Sequence, residues 1–354
     1  MDTKRQEAIN IWRHCFDDSR EYTDMYFTQV YRDDDCLTLD REGKTVASLL
    51  LQPYAMRFHS MSHAPVGYIC GVGTLPQWRN RGCMTELMHT ALRESMKRGY
   101  MFDAVIPADE TLELYYRGFG FSPAFRVDRQ RYTARHTFRP EGEFTVMTDF
   151  DSDRAYSFFD MIMSTRMGGI QHSRHQYDCI LMDNSVDAGS QVGVCDAYTG
   201  EVRGMAFVVP RDGTAVVTDI LSTDTDASEA VMNEVRRQYP DMPIEVLAMP
   251  GSGYFCHGYR GMARIIDAEA VLKVISSSHP ALKRTIRLHD NIIAENNDTF
   301  VIGEGSVRRV SSAHRQPDLD TSVEVFTSIV FGNDVTASIF DFPSIQPFIS
   351  LMLD

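Results

Sequence analysis

The chain has 354 residues, which is more than one ordinary domain core accommodates and therefore predicts two or three domains. Apolar residues make up 43% and charged residues 24% of the chain, so the composition is that of a globular protein and excludes wholesale disorder. The 35 basic and 49 acidic residues give a net charge of −14, which argues against a nucleic-acid partner because an acidic surface repels phosphate groups.

The sequence contains no pattern for export or membrane insertion. A membrane span needs about 20 consecutive apolar residues, and no stretch of the sequence approaches that length. The first residues also lack the apolar core of a signal peptide. The seven cysteines form no C-x-x-C pair and cannot all be bridged, which favours buried thiols in a reducing compartment. We therefore expect a soluble cytoplasmic protein.

The first 130 residues or so predict a mixed α/β arrangement. Two short helices occupy the first thirty residues, and the strand-like segments 37–39 and 45–51 flank a turn, as in a hairpin. A further strand covers 65–74, apolar residues then recur at helical spacing over 84–95, and 102–106 is again a strand. Asp109 can cap a short helix that follows.

Two further units follow a polar stretch, 128–143, which we interpret as a boundary. From about residue 144 the pattern of helices and strands resembles that of the first unit, and from near Met262 the pattern is α+β and ends in an apolar C-terminus. The predicted domains are 1–130, 140–258 and 262–354.

The residues that indicate chemistry come directly after the strand 65–74. The loop there contains Arg79, Arg81 and Gly82 and leads into the N-terminus of the predicted helix. The first N–H groups of a helix have no internal partner and lie at the positive end of its dipole, so that this end can bind phosphate. Gly82 allows a ligand to approach the backbone. The alternative is a basic loop before an ordinary helix cap.

A tyrosine forms the second part of the pattern. Tyr116 stands four residues before Gly120, which begins a Gly-Phe strand start. Taken alone, a half-buried tyrosine that seals the sheet is the better explanation. The combined order of strand, Arg-x-x-Gly, helix, strand and Tyr-x-x-x-Gly-Phe is far less expected by chance.

This combination resembles the GNAT acetyltransferases. The segment from Arg79 to Met84 is similar to their pyrophosphate loop, R-x-x-G-x-G/A, and Tyr116 matches the tyrosine before their Gly-Phe pair. Met84 departs from the usual Gly or Ala, although a bulky residue also occurs there in the enhanced intracellular survival (Eis) proteins. Those proteins consist of a GNAT domain, a degenerate GNAT-like domain and an α+β domain like sterol carrier protein. The resemblance implies this α/β and α+β fold class for the three predicted domains.

The resemblance also implies the reaction and its residues. An Eis-type protein would transfer acetyl from acetyl-CoA directly to an amine, such as a cationic small molecule or a lysine side chain, without a metal, and would be a homo-oligomer. Tyr116 would protonate the leaving thiolate, and Tyr115 is the alternative because the register of a short helix is uncertain by one residue. The implied cofactor-binding residues are Val72, Gly73, Thr74, Arg79, Asn80, Arg81, Gly82, Cys83 and Met84.

The last thirteen residues, 342–354, include seven large apolar side chains, so we expect this tail to dock on the protein. In the Eis proteins a terminal carboxylate takes the proton from the substrate amine. The resemblance therefore implies Asp354 as a catalytic base, through its side chain or the chain end. The alternative is that the tail completes the core of the third domain.

Two other features of the sequence have simpler explanations than a second binding site. In the second unit, residues 222–226 offer two aspartates where the first unit offers arginines, which predicts one cofactor site per chain. His172 and His175 are interpreted as surface histidines because no further ligands complete a metal site.

Two alternative functions remain open from the sequence. A non-catalytic acyl-CoA-binding or lipid-carrying scaffold is compatible with Met84 and with the degenerate second unit, and it would bind acetyl-CoA without turnover on any amine. An aminoacyl transferase on tandem GNAT units would need a basic groove for tRNA, which the charge of −14 disfavours.

Overall fold

The computed structural model describes residues 3–249, 257–310, 316–332, 340–345 and 347–353. They form two compact units. Unit 1 contains Met1–Phe125 and Tyr259–Pro347, and unit 2 contains Arg126–Gly258 and Phe348–Leu353. The division into domains 1–130, 140–258 and 262–354 stays a prediction.

The N-terminal part alternates helices and strands in the predicted order. Its helices are α1 (Thr3–Cys15), α2 (Arg20–Met25), α3 (Cys83–Lys97) and α4 (Glu110–Arg117), and its strands are β1 (Cys36–Arg41), β2 (Lys44–Phe58), β3 (Met61–Thr74), β4 (Phe102–Val105) and β5 (Ser122–Tyr132). A π-helical turn, Tyr26–Val30, continues α2, and a 3₁₀ turn, Pro76–Trp78, follows β3. The predicted hairpin of β1 and β2 is present.

The middle of the chain has the following elements. The helices are α5 (Asp153–Thr165), α6 (Arg174–Val186) and α7 (Thr225–Gln238), and the strands are β6 (Phe144–Val146), β7 (Ile170–Gln171), β8 (Ser190–Asp196), β9 (Val202–Arg211), β10 (Thr214–Ser222) and β11 (Ile244–Ala248). The polar stretch interpreted as a boundary is partly strand, because β5 extends to Tyr132. Its Arg129 and Arg131 both pair with the buried Glu245 of β11, at 2.5 and 2.6 Å.

The C-terminal part adds a second sheet. Its elements are β12 (His257–Ile265), α8 (Ala268–Ser278), β13 (Arg284–His289), a 3₁₀ turn (Ala294–Asn296), β14 (Thr299–Gly303), β15 (Ser306–Val310), β16 (Leu319–Ser322) and α9 (Val323–Val330). The four strands of this sheet are ordered β15-β14-β13-β16. Within the described ranges, no helix is both long and apolar enough to cross a membrane.

The two units share a strand arrangement. In unit 1, β1, β2 and β3 are antiparallel neighbours, and β3 pairs in parallel with β4 after the crossover helix α3. In unit 2, β8, β9 and β10 are antiparallel neighbours, and β10 pairs in parallel with β11 after α7. The repetition predicted from about residue 144 is therefore a repetition of topology.

The core of unit 1 fixes α3 against its sheet. The apolar face predicted from the spacing is buried, with Leu87, Met88, Ala91 and Leu92 at 1% exposure or less. On the other edge of β4, β12 pairs antiparallel, so a strand from the C-terminal part completes this sheet. The N-terminal end of α3 is thereby held beside the end of β3.

One carboxyl group is completely buried in that sheet. Asp103 lies on β4, where Ser95 Oγ donates a 2.7 Å hydrogen bond to its Oδ2. Burial raises the pKa of Asp103 to about 8, and the Ser95 hydrogen bond and the Arg264 charge oppose only part of the rise. The folded protein therefore keeps a proton that the unfolded chain releases near pH 4.

We expect Asp103→Asn to stabilise the protein, and more so at pH 8 than at pH 5. The native state binds the extra proton, so the wild type loses stability as the pH rises from about 4 to 8, by up to about 1.4 kcal/mol per pH unit. Asparagine is neutral in both states and can still accept from Ser95. Thermal melting at the two pH values measures the difference.

Asp224→Asn is the control for that experiment. Hydrogen bonds, first from the Ala227 N–H and then from Arg203, lower the pKa of Asp224 to about 2. The contribution of Asp224 to stability therefore changes with pH only below pH 5. The substitution Asp224→Asn should change stability equally at pH 5 and pH 8. A melting difference for Asp103→Asn that does not grow with pH would contradict a protonated Asp103.

Candidate active site

Strand β3 runs beyond its neighbour β4 at the end that leads into the loop. Four residue pairs join the strands, and the last is Ile69 with Val105, whereas β3 continues to Thr74. Residues 70–74 therefore extend past β4. An extended ligand can add to such a strand through main-chain hydrogen bonds. The predicted cofactor-binding residues of this segment are Val72, Gly73 and Thr74.

The loop after β3 presents two arginines to solvent. Arg79 Nε donates a 3.1 Å hydrogen bond to the carbonyl of Thr74, which ties the loop to the end of the strand. The guanidinium of Arg81 lies over the ring of Trp78 at 5.1 Å, and Asn80 between them has a φ of 60°. The loop therefore exposes two cationic groups, in a protein whose net charge is −14.

Gly82 begins α3 in a conformation that favours glycine. Its φ is 76°, and no side chain caps the helix there. An added Cβ would meet no atom of the described residues within 4 Å, so as far as these residues are concerned the space over this backbone is open. The first N–H groups of α3 thus face an open region beside two arginines, and this arrangement fits a pyrophosphate.

Met84 fits the site despite its departure from the family pattern. Its half-buried side chain packs against the apolar core of unit 1, and the preceding Cys83 belongs to that core. A bulky side chain at this position therefore has apolar surroundings of its own.

Tyr116 lies on α4 and is buried, with 4% of its surface exposed. The helix is capped as predicted, because Asp109 Oδ1 accepts a 2.8 Å hydrogen bond from Leu112 N. Burial raises the pKa of Tyr116 above its usual value, and the neighbouring Tyr115 and Cys70 add to the rise. Cys70 is the first residue of β3 beyond β4, so the phenol lies within electrostatic range of the strand segment 70–74.

Tyr115 has different surroundings. Its ring centroid is 5.0 Å from that of Phe119 and 5.6 Å from that of Tyr116. Burial raises the pKa of Tyr115 as well, and Thr85, in the first turn of α3, opposes part of the rise. Of the two tyrosines, Tyr116 therefore interacts electrostatically with Cys70 of β3, whereas Tyr115 interacts with Thr85 of α3.

Asp354 lies outside the described residues, but the tail before it is described. Residues Phe348–Leu353 belong to unit 2 and are buried, so the prediction that the tail docks is confirmed for them. Ser350 Oγ donates a 2.6 Å hydrogen bond to the buried Asp219. His172 Nε2 lies 3.2 Å from the carbonyl of Ser350, and His172 is itself 2% exposed. The interpretation of His172 as a surface histidine was therefore wrong, because this local polar network accommodates the ring in the interior.

The corresponding helix of unit 2 differs at its N-terminus. Asp224 caps α7 by accepting a 2.8 Å hydrogen bond from Ala227 N, and Arg203 pairs with the same carboxylate at 2.5 Å. The expected carboxylate thus occupies the helix end that is open in α3. The prediction of one cofactor site per chain rests on this contrast.

Residues 1–124 match the family model of the acetyltransferase (GNAT) domain. This part of the chain is a GNAT acetyltransferase domain. The match spans the end of β3, the arginine loop, α3 and Tyr116. It confirms the prediction of an N-acetyltransferase at the level of the family. Among curated protein sequences, none matches the chain.

Solved structures with the same fold cover nearly the whole chain. Eis1 from Mycobacterium abscessus is 14% identical with a TM-score of 0.76, over 99% of this chain and 97% of its own. A GCN5-related N-acetyltransferase from Anabaena variabilis is 13% identical with a TM-score of 0.79, over 99% and 97%. A probable N-acyltransferase from Enterococcus faecalis is 13% identical with a TM-score of 0.76, over 98% and 96%.

These likenesses establish the fold beyond the GNAT domain. The chain has the fold of the Eis-type GNAT proteins, so the predicted mixed α/β GNAT fold is confirmed. The likeness of residues 262–354 to sterol carrier protein stays a prediction. The roles of the individual site residues are also predictions.

Proposed function

We propose that the protein transfers the acetyl group of acetyl-CoA directly to an amine. The observation that supports this most is the arrangement of three features in unit 1. The end of β3 extends past β4, the N-terminus of α3 is open behind Gly82, and the buried Tyr116 lies within electrostatic range of Cys70 on β3. These features suit a pantetheine arm, a pyrophosphate and a thiolate, respectively.

The pyrophosphate would bind at α3. The earliest backbone hydrogen bond of the helix runs from Glu86 N to the carbonyl of Gly82 at 3.0 Å, so the preceding N–H groups can donate to phosphate oxygens. Arg79 and Arg81 supply positive charge. Glu86 would repel a phosphate, but its carboxylate pairs with Arg41, which compensates its charge.

The acetyl thioester would lie along residues 70–74. A pantetheine amide can pair with this strand segment, and the N–H of the half-buried Val72 is the proposed donor to the thioester oxygen. A backbone donor fixed in a strand stabilises the oxyanion of the tetrahedral intermediate without reorganising. Val72 thus joins cofactor binding to catalysis.

Tyr116 is the proposed general acid. When the amine attacks the thioester carbon, the C–N bond forms and the C–S bond then breaks, leaving a thiolate that needs a proton. The raised pKa of Tyr116 keeps the phenol protonated across the neutral range, so a proton is present when charge develops on the sulfur. The same shift makes the phenol a weaker acid than free tyrosine, so the phenolate left by the transfer is short-lived and regains the proton that the attacking amine releases. Asp354 is the proposed base that takes the proton from the attacking ammonium.

The acceptor class follows from the reaction and the charge. A primary amine is an ammonium in solution, and a protein of net charge −14 attracts cations. We therefore propose a cationic small molecule or a lysine side chain as acceptor. Thiol release from acetyl-CoA, measured over a panel of such amines with mass spectrometry of the products, tests the proposal. Tight acetyl-CoA binding without release on any amine would instead identify a scaffold.

Arg79→Ala and Gly82→Asp should each weaken acetyl-CoA binding. The first removes a charged phosphate contact worth about 1.5–3 kcal/mol, and the second places a carboxylate over the open helix end. We expect the dissociation constant to rise about ten- to a hundredfold, as measured by calorimetry.

Two matched variants serve as controls for the cofactor site. Arg93→Ala removes an exposed arginine further along α3. Gly43→Asp places a carboxylate on a glycine of nearly the same backbone conformation, with a φ of 72° and no atom within 4 Å of an added Cβ. Both should bind acetyl-CoA like the wild type. If Arg79→Ala, Gly82→Asp and the controls all bind acetyl-CoA with equal affinity, the pyrophosphate does not bind at this loop.

A further inference from the structure

Arg264 is a completely buried arginine in unit 1, on strand β12. Its signal in the sequence is its position, because an arginine inside the apolar run around Met262 to Ile266 is unusual. It lies opposite Asp103 in the antiparallel pairing of β12 with β4. The guanidinium keeps its positive charge at any physiological pH, so the fold must satisfy it internally.

The guanidinium is bonded on three sides. Nη2 donates to both carboxylate oxygens of Asp290, at 2.7 and 2.9 Å, and the side chains of both partners are 1% exposed. Nη1 donates to the carbonyl of Ile265 at 2.9 Å. Nε donates to the carbonyl of Phe119 at 2.6 Å. Of the guanidinium's hydrogen bonds, this one links the C-terminal part of the chain to the GNAT domain.

Asp290 is held as firmly as the arginine. Its Oδ1 accepts from the backbone N–H groups of Ile292 and Ile293, at 2.9 and 3.0 Å. Its Oδ2 accepts from Asn296 Nδ2 at 2.9 Å, and the same amide donates to the carbonyl of Ile266. The pair therefore presents Nε in a fixed direction.

Phe119 lies in the turn directly after α4, the helix that carries Tyr116. Phe119 N donates to the carbonyl of Tyr116 at 2.9 Å, and Phe121 N donates to the same carbonyl at 3.3 Å. Two further bonds of the turn run from Gly118 N to the Tyr115 carbonyl and from Gly120 N to the Arg117 carbonyl, at 3.1 and 2.9 Å. The bond from Arg264 to the Phe119 carbonyl thus acts on a turn in which two of the four backbone hydrogen bonds end on Tyr116.

Gly120 shows how closely this turn approaches the C-terminal part. Its φ is 84°, and an added Cβ would lie 2.9 Å from Val323 Cγ1 and 3.2 Å from Arg264 Nε. Arg117, at the end of α4, also pairs with Glu324 at 3.3 Å. The turn is therefore clamped by β12 and α9 together.

A buried ion pair is a poor source of stability, because the cost of desolvating both charges offsets their attraction. It does fix geometry, because the guanidinium that Asp290 holds also donates a charge-assisted hydrogen bond of 2.6 Å to the Phe119 carbonyl, and such bonds are short and strong. General acid catalysis depends on such precision, because the donor must stay within hydrogen-bond reach of the leaving atom.

We infer that Arg264 is a positioning residue for acetyl transfer, which holds the turn at Phe119 and thereby sets the place of the Tyr116 hydroxyl. The inference rests on the proposed role of Tyr116 as general acid. Arg264 touches no substrate and acts through the backbone of the turn. The C-terminal part of the chain thus contributes directly to the geometry of the GNAT domain.

The decisive experiment combines Arg264→Lys with Tyr116→Phe. Lysine keeps the charge but cannot bond Phe119 and Asp290 with the same fork. We expect Arg264→Lys to lower kcat about ten- to a hundredfold with the KM for acetyl-CoA unchanged, and to have almost no further effect in the Tyr116→Phe background. Multiplied effects in the double variant would overturn the inference. A Tyr116→Phe variant with full activity would instead remove the proposed acid, whatever Arg264→Lys does.

If Arg264→Lys fails to fold, Gly120→Ala tests the same inference. It crowds the same contact while both ionic partners remain, and Gly99→Ala is its control, with a φ of 73° and no atom within 4 Å of an added Cβ. Amide hydrogen exchange over residues 117–121 should accelerate in Gly120→Ala, and kcat should fall, while exchange in α3 stays unchanged. Unchanged kcat and unchanged exchange in Gly120→Ala would overturn the inference.

Discussion

Replacing Tyr116 with phenylalanine is expected to lower turnover by about 10²–10⁴-fold while acetyl-CoA binds with nearly unchanged affinity. The substitution removes only the hydroxyl, and the ring keeps its packing against Tyr115 and Phe121, at 5.6 and 5.9 Å between centroids. Without the phenol the thiolate must leave unprotonated or take a proton from water. Steady-state kinetics with an amine that supports thiol release, together with calorimetry for acetyl-CoA, measures both quantities.

Tyr115→Phe is the matched control, because it removes the same group one residue earlier. Its hydroxyl neighbours Thr85 on α3, whereas Cys70 on β3 is among the groups that raise the pKa of Tyr116. We therefore expect Tyr115→Phe to have a small effect on turnover. A silent Tyr116→Phe combined with an inactive Tyr115→Phe would transfer the acid role to Tyr115.

The pH dependence of the wild type gives a second check on the acid. Burial raises the pKa of Tyr116 above the usual value of about 10, so the phenol stays protonated in the neutral and moderately alkaline range. We expect no loss of turnover from tyrosine ionisation below pH 10. A descending limb near pH 8 that disappears in Tyr116→Phe would show that the phenol ionises in the working enzyme and would contradict this assignment.

The parts of the fold that follow from short-range pattern were predictable. The helix α3 has a regular apolar face, and the cap of α4 by Asp109 needs only a local side chain. The helix α6, Arg174–Val186, was missed because its apolar face is weak. Its capping box of Ser173 and Gln176 is a sequence signal that could have revealed it.

Long-range pairings were not predictable from local pattern. The strands β2 and β3 form one long hairpin that turns at His59 and Ser60, although only the outer part of each was predicted. The pairing of β12 with β4 joins residues more than 150 positions apart. Arg264 is brought beside Phe119 only by that pairing, so local sequence pattern could not predict their contact.

The candidate site divides in the same way. The motif from Arg79 to Met84 is contiguous, so its spacing alone indicates a phosphate-binding helix end. The distance from Tyr116 to β3 depends on α4 folding back onto the sheet, and the sequence left Tyr115 and Tyr116 as alternatives. Cys70 on β3 acts on the pKa of Tyr116 and Thr85 on α3 acts on that of Tyr115, so the two substitutions are expected to have different effects.

Removing Asp354 is expected to lower transfer by about 10²–10⁴-fold if the residue carries the base, with acetyl-CoA affinity unchanged. An amine acceptor must lose a proton to attack, and a carboxylate near the ammonium can take it. Asp354 offers its side-chain carboxylate for this step. Asp354→Asn removes that carboxylate and keeps the size of the side chain, so its turnover beside that of the deletion shows how much of the effect belongs to the side chain.

Asp354 must be deleted without removing Leu353, the residue before it. Leu353 is 1% exposed, and losing its side chain would cost about 2–5 kcal/mol of stability, which could lower activity without any catalytic role. Leu353→Ala with Asp354 retained is therefore the packing control. It should lower the melting temperature more than deletion of Asp354 does, while the folded enzyme keeps its turnover. A fully active enzyme without Asp354 would exclude this residue as the base, because no proton acceptor at that position would then be needed.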